Sequence, residues 1–169
     1  MKKFKLCIDK DKEEEWLNNL SKKGWAMKKY FLGLYTFERS DENYIYRIDL
    51  LKNWEGDRKE FEEFMEDSGV EYVAQWYRWV FLRKRIQNGN FELYSDSDSL
   101  IEHYSRIQKF FLVVAIIEFI CALAQLPMII SYSSISNGIV FLIAMIFAGS
   151  FLRMVKKYFK KINTLKNTI

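Results

Sequence analysis

The chain has 169 residues, with 26 Lys and Arg against 22 Asp and Glu, one His and two Cys. That is room for about one domain and an appendage, and a lone His103 with no Cys or second His at ligand spacing speaks against a metal centre. The formal charge of +4 is unevenly placed: residues 1–109 hold 20 basic and 21 acidic side chains, residues 110–152 hold only Glu118, and residues 153–169 hold six basic side chains and no acid, which argues against a nucleic-acid footprint on the globular part.

Residues 3–8 alternate Phe4, Leu6 and Ile8 with Lys3, Lys5 and Cys7, the period of a strand. Asp11 with Glu14 three residues on reads as the capping box of a helix whose apolar stripe is Trp16, Leu17 and Leu20 and whose stop is Gly24. Residues 25–31 and 34–39 read as two strands turned at Gly33. Residues 44–50 are another alternating strand, residues 54–67 a second helix, and residues 70–74 and 79–84 a last hairpin. The order repeats: Trp16, Leu20, Gly24 and Trp25 are matched 45 residues later by Phe61, Met65, Gly69 and Val70, and Met27, Phe31, Leu34 and Arg39 map onto Tyr72, Trp76, Trp79 and Lys84. The expected fold class is therefore α+β: a tandem βαββ repeat, ferredoxin-like or SHS2-like, giving a six-stranded antiparallel-rich sheet with two helices on one face.

Two helices cannot cover every aromatic on such a sheet. Tyr35, Tyr46, Tyr72, Trp76 and Trp79 are the candidates for a ligand or partner surface, set against the plainer reading that they are core. A small amphipathic ligand is one expected occupant and a protein the other. No motif of a nucleotide-binding or hydrolytic enzyme occurs, and no catalytic carboxylate pair can be singled out. The expectation is a non-enzyme without a cofactor or a metal.

Residues 86–95 read as a linker and residues 95–109 as a juxtamembrane helix. Residues 110–130 and 135–152 are apolar segments of 21 and 18 residues, long enough at about 1.5 Å per residue to span a bilayer. We expect a transmembrane helical hairpin over residues 110–152, following a cytoplasmic domain over residues 1–94. Arg and Lys flank both outer ends of the hairpin and its loop is uncharged, which places both termini in the cytoplasm. Residues 1–12 are charged throughout, unlike a signal peptide. Cys7 and Cys121 are expected to stay reduced. Glu118 and Gln125, seven residues apart on one helix face, are candidates for an intramembrane polar contact, with a membrane partner, through self-association, or within the hairpin. Ala144, Ala148 and Gly149 offer a small-residue packing surface. Arg153, Lys156, Lys157, Lys160 and Lys161 form a basic cytoplasmic tail, residues 153–169, suited to anionic lipid of the inner leaflet or to a stop-transfer role.

Residues 17–39, with Leu17, Leu20, Lys23-Gly24-Trp25, Met27, Tyr30, Gly33, Tyr35 and Phe37-Glu38-Arg39, then the Tyr44-Ile45-Tyr46-Arg47-Ile48-Asp49 strand and the hairpin near Trp79 to Arg83, are similar to an uncharacterised bacterial family, domain of unknown function 2812. The resemblance covers about residues 1–90. It implies a domain placed before hydrophobic spans, often beside PadR-type transcriptional regulators, and carries no catalytic residues. The combined expectation is a membrane-anchored sensory or accessory binding domain acting with a regulator or membrane partner. The alternative is a small subunit of a transporter-type membrane complex, held through the hairpin and Glu118.

Overall fold

The computed structural model describes residues 1–51, 69–132 and 135–167. The helix expected over residues 54–67 lies outside them. The chain divides into two compact units, Met1–Leu93 and Tyr94–Ile169.

The first unit is α+β. Strand β1 (Lys2–Phe4), helix α1 (Lys10–Ser21), β2 (Trp25–Phe31) and β3 (Leu34–Arg39) form its first half; β4 (Tyr44–Leu50), β5 (Val70–Trp76) and β6 (Trp79–Arg85) follow. All ladders are antiparallel, in two sheets ordered β1-β3-β2 and β4-β6-β5. Each paired position of the β2–β3 hairpin recurs 45 residues later in β5–β6, from Trp25 opposite Arg39 and Val70 opposite Lys84 to Phe31 opposite Leu34 and Trp76 opposite Trp79. Even the bulge repeats, between Met27 and Lys29 and again between Tyr72 and Ala74. The strands of the expected repeat are thus present in register, and the βαββ order is complete within the described residues for the first half only.

The expected single six-stranded sheet is instead two sheets of three. At the β2 edge, the Met27 N–H donates to the Tyr46 hydroxyl at 2.8 Å, and the Met27 carbonyl accepts from Arg83 Nη1 at 3.1 Å. Side chains of the other sheet thereby take groups that a β2–β5 ladder would need, and a bulge on each of these strands breaks the regular spacing.

Helix α1 starts at Lys10, earlier than its sequence suggests. Asp9 is its cap, accepting from the Asp11 N–H at 3.1 Å. Gly24, at φ +74°, ends it as expected. Leu17 and Leu20 bury against Met27, Tyr35 and Phe37 of the first sheet and Tyr44, Tyr46, Ile48 and Phe81 of the second. Glu14 is not the capping-box partner. With Asn18 and Ser21 it forms a polar stripe that accepts from the outward N–H groups of β4. Glu14 Oε1 takes Ile48, Asn18 Oδ1 takes Tyr46 and Ser21 Oγ takes Tyr44, each at 2.7 Å. Between Glu14 and Ser21 the helix rises about 10.5 Å, while Ile48 to Tyr44 spans about 13 Å of strand. The shortening of the side chain from Glu to Asn to Ser fits a helix inclined toward the edge at its C-terminal end. The edge is thereby closed without a strand.

Strand β1 stops at Phe4 because β3 has reached its turn; only the Lys5 N–H to Gly33 carbonyl bond, 2.8 Å, follows. The supposed linker is partly core: Phe91 is buried with Leu51, Val70, Val80 and Leu82.

In the second unit, α2 (Ser97–Leu123) is capped by Asp96, which accepts from Ser99 N–H at 2.7 Å. A short α3 (Leu126–Tyr132) and a long α4 (Ile135–Lys166) follow. The first apolar segment is not one helix to its end. Pro127 has no N–H for the Leu123 carbonyl, and the chain turns at Ala124 and Gln125. His103, Ile107, Phe111, Ala115 and Ala122 of α2 are buried, as are Ala144, Ala148, Met154, Tyr158 and Ile162 of α4, giving an antiparallel hairpin seam.

Replacing Asn18 by Leu removes the partner of the Tyr46 N–H and should destabilise the first unit by about 2 kcal/mol, and Ser21→Ala by about 1 kcal/mol. Thermal unfolding of the full chain in detergent checks both; unchanged midpoints would mean that the helix does not hold the edge.

Candidate functional sites

The five aromatic candidates separate. Tyr35 and Tyr46 are 0% and 1% exposed, so they are core rather than surface. Tyr46 receives the Met27 N–H, and Tyr35 packs edge-on against Trp16 at 4.8 Å between centroids. Tyr72 is half-buried, its hydroxyl donating to Gln75 Oε1 at 3.0 Å. Trp79 is half-buried against the shared core, and Trp76 is exposed. They do not make one aromatic face. A cleft of about 130 Å³, lined by Asp41, Glu42, Asn43, Arg85, Ile86 and Gln87, is well below the size of ordinary ligand pockets.

The burial of Tyr35 creates a polar cluster that sequence reasoning missed. Its hydroxyl donates to Glu13 Oε1, and the carboxyl lies inside the fold. Burial pushes the Glu13 carboxyl up to about 7, partly opposed by the Tyr35 hydrogen bond and by Lys5, and aided by Glu14. Lys5 lies over the Trp16 ring at 4.3 Å. Nearby, burial also raises the Tyr30 hydroxyl and the Cys7 thiol, with Glu13 as a further cause for each. Nothing local separates Glu13 from its neighbours Glu14 and Glu15; a contact across 22 residues of chain leaves no local signature.

The first sheet carries a different surface, also missed. Phe4, Leu34 and Phe31 are cross-strand neighbours in one row, on the face opposite Tyr35. Phe4 is 68%, Phe31 65% and Leu6 75% exposed; Leu32 and Leu34 are exposed too. A side chain on Gly33 would meet Leu6, Phe4 and the Lys5 carbonyl at 3.0 to 3.3 Å, so these groups form one tip. The two turns are also strained: Leu32 sits at φ +44° and Tyr77 at φ +55°, a region that favours Gly, Asn and Asp. The signal was in the sequence, since Phe31-Leu32-Gly33-Leu34 puts apolar residues where hairpin turns are ordinarily polar.

In the second unit, Glu118 is half-buried and follows the spacing of Phe111, Ala115 and Ala122, which puts it on the seam with α4. Gln125 does not join it: its amide donates to the Cys121 carbonyl at 3.3 Å. Ala144 and Ala148 are on the seam, whereas Gly149 is exposed with open space around it. The basic tail is the continuation of α4. Met154, Tyr158 and Ile162 are its buried side, Tyr158 stacks on Phe111 at 6.1 Å, and Lys161 lies over Tyr104 at 4.8 Å. Arg153, Lys156 and Lys160 are exposed, while Lys157 and Lys161 are half-buried. Leu152 and Phe159 of the same helix are exposed. Both long helices are apolar enough to cross a membrane: their most apolar 18-residue windows have mean hydropathy 2.4 and 2.2, with 11% and 17% buried.

These features define a mixed α+β domain followed by an apolar helical hairpin. The chain belongs to the family described as "Protein of unknown function (DUF2812)", whose model matches residues 9–116, from the cap of α1 into α2. No curated protein and no solved structure matches it.

Two outcomes are expected. Glu13 holds a proton in the folded chain up to about pH 7 that an unfolded chain releases near 4.5, so stability falls as pH rises through that window, by on the order of 3 kcal/mol. Glu13→Gln should flatten the fall between about pH 5 and pH 8; an unaltered profile would place its cause elsewhere. Leu32→Asn and Tyr77→Asn should each raise stability by about 1 kcal/mol by relieving the turn; lower thermal midpoints would show that those side chains hold the fold.

Proposed function

We propose that the protein is a membrane-anchored accessory domain with no catalysis of its own, acting with a transcriptional regulator or a membrane partner. The observation that carries this reading is the pairing of two exposures: apolar side chains line the outside of both long helices, and a second apolar group projects from the tip of the α+β unit. Leu112, Val113, Ile116, Phe119, Leu142 and Ile146 are all exposed, and a surface of that extent needs lipid or protein against it. Among the described residues of the α+β unit, several polar side chains that could serve chemistry have internal duties. Glu14, Asn18 and Ser21 hold β4; Glu13 meets Tyr35; Arg83 joins Glu71 at 2.7 Å and reaches the Met27 carbonyl.

Both termini lie on the cytoplasmic side in this reading, because basic residues, Arg106 and Lys109 before the first apolar segment and those of 153–166 after the second, flank the hairpin in sequence and its turn carries none. The basic side chains of α4 then stand at the inner headgroups, Arg153 nearest the apolar stretch. A transporter-type subunit is the second reading. It is favoured by the exposed helix flanks rather than by Glu118, whose place on the seam suits a contact within the hairpin.

Topology is tested by cysteine labelling in a Cys7→Ser, Cys121→Ser background. A membrane-impermeant maleimide should label Tyr132→Cys in intact cells and Lys166→Cys only after permeabilisation. Labelling of Lys166→Cys from outside would refute the orientation, and equal protection of both in intact cells would refute spanning.

A further inference from the structure

We infer that the tip of the first sheet is a lipid-binding surface that inserts Phe4, Phe31, Leu32 and Leu34 into the interface of an anionic bilayer. The two halves of the repeat differ in composition on this face. The row Phe4–Leu34–Phe31 corresponds in register to Leu50–Trp79–Trp76 of the second sheet. The next row along the strands is Lys2–Thr36–Lys29 in the first sheet and Ile48–Phe81–Ala74 in the second. In the second sheet both rows are apolar, and Leu50, Ile48 and Phe81 are buried. In the first sheet the second row is solvated by two lysines, so this face is not composed as a core. Only its outermost row and the turn beyond it are apolar.

The apolar row and the lysine row are about 7 Å apart along the strands. That spacing matches a bilayer interface, where apolar groups sit about 5–10 Å into the headgroup and acyl boundary and lysines reach back to the phosphates. The two rows contain no acidic side chain, so the charge is complementary to anionic lipid, worth about a factor of five per lysine. Leu32 extends the apolar end at a backbone angle that disfavours its side chain, a local cost consistent with a role outside the fold. The tether favours the same surface. Only residues 94–96 separate the first unit from α2, about 10 Å when extended, so under the anchored reading of Proposed function, on which this inference rests, the tip works at high effective concentration near the membrane.

The test uses the full chain in the Cys7→Ser, Cys121→Ser background, reconstituted in vesicles of phosphatidylcholine alone or mixed equally with phosphatidylglycerol. An environment-sensitive fluorophore is placed at Leu32→Cys or, as the control at the far end of β3, at Asp41→Cys. Lipids carrying a quencher high on the acyl chain should quench the label at 32 and leave that at 41 unquenched, more strongly in the anionic vesicles. Lys2→Glu with Lys29→Glu should lower the inserted fraction relative to the free by about 25-fold or more, and Phe4→Ser with Phe31→Ser should abolish quenching with the thermal midpoint retained. Equal, low quenching at 32 and 41 in both vesicles overturns the proposal. So does shielding of the label that grows with protein-to-lipid ratio and ignores quencher depth, since the occupant would then be a second copy. Carbonate extraction of the same vesicles reads the anchor separately: a chain that is extracted but quenched at 32 without Phe4 and Phe31 replaced keeps the tip and loses the span.

Discussion

The outer edge of β4 exposes backbone N–H groups that need acceptors, and the first unit depends on how they are supplied. Glu14, Asn18 and Ser21 supply them from one stripe of α1, while Leu17 and Leu20 on the neighbouring stripe bury in the core. A helix normally covers the face of a sheet. Here the same helix covers a face of the first sheet and seals an edge of the second, so it ties the two halves of a repeat that do not share a ladder. Tyr46 and Arg83 complete the tie by occupying the Met27 backbone. A buried polar contact of this kind specifies geometry, because a displaced helix would leave several backbone groups unsatisfied at once.

That arrangement accounts for what could be read in advance. The positions of β2 to β6, the turn at Gly33, the stop at Gly24 and the repeat spacing all depend on local rules, and they emerge in place, whereas the strand expected over residues 3–8 is cut to Lys2–Phe4. The repeat holds to the residue, bulge included. What failed depends on which face meets which neighbour. Alternation in Phe4, Leu6 and Ile8 marks one side of the chain, yet nothing local says that α1 lies on the other. Glu14 looks like a capping residue until β4 is beside it. Tyr35 and Tyr46, read as surface candidates, are held inside by partners 22 and 19 residues away in sequence. In the hairpin, length, apolarity and the break before Pro127 were legible, the last because a proline lacks the N–H a helix needs, while the outward position of Gly149 depended on the seam.

The two halves have diverged in use more than in shape. The second keeps both of its corresponding rows apolar and, of these, buries Leu50, Ile48 and Phe81. The first replaces one row with lysines and leaves the other at the surface. One backbone plan therefore supplies a core in one half and, in our account, a contact surface in the other. The outer sides of α2 and α4 are apolar and exposed as well, and in our account lipid or protein covers them. The family match, spanning the cap of α1 through residue 116 of α2, includes both the edge-sealing helix and the joint to the hairpin.

The central claim, that α1 closes the β4 edge and so makes one unit of two sheets, is tested most directly by native-state amide hydrogen exchange of the full chain in lipid nanodiscs. Tyr44, Tyr46 and Ile48 should be protected as strongly as the ladder-bonded amides of β6, and Asn18→Ala should release Tyr46 selectively. Rapid exchange of Tyr44, Tyr46 and Ile48 in the unaltered chain, at the rate of an open strand edge, would contradict the account.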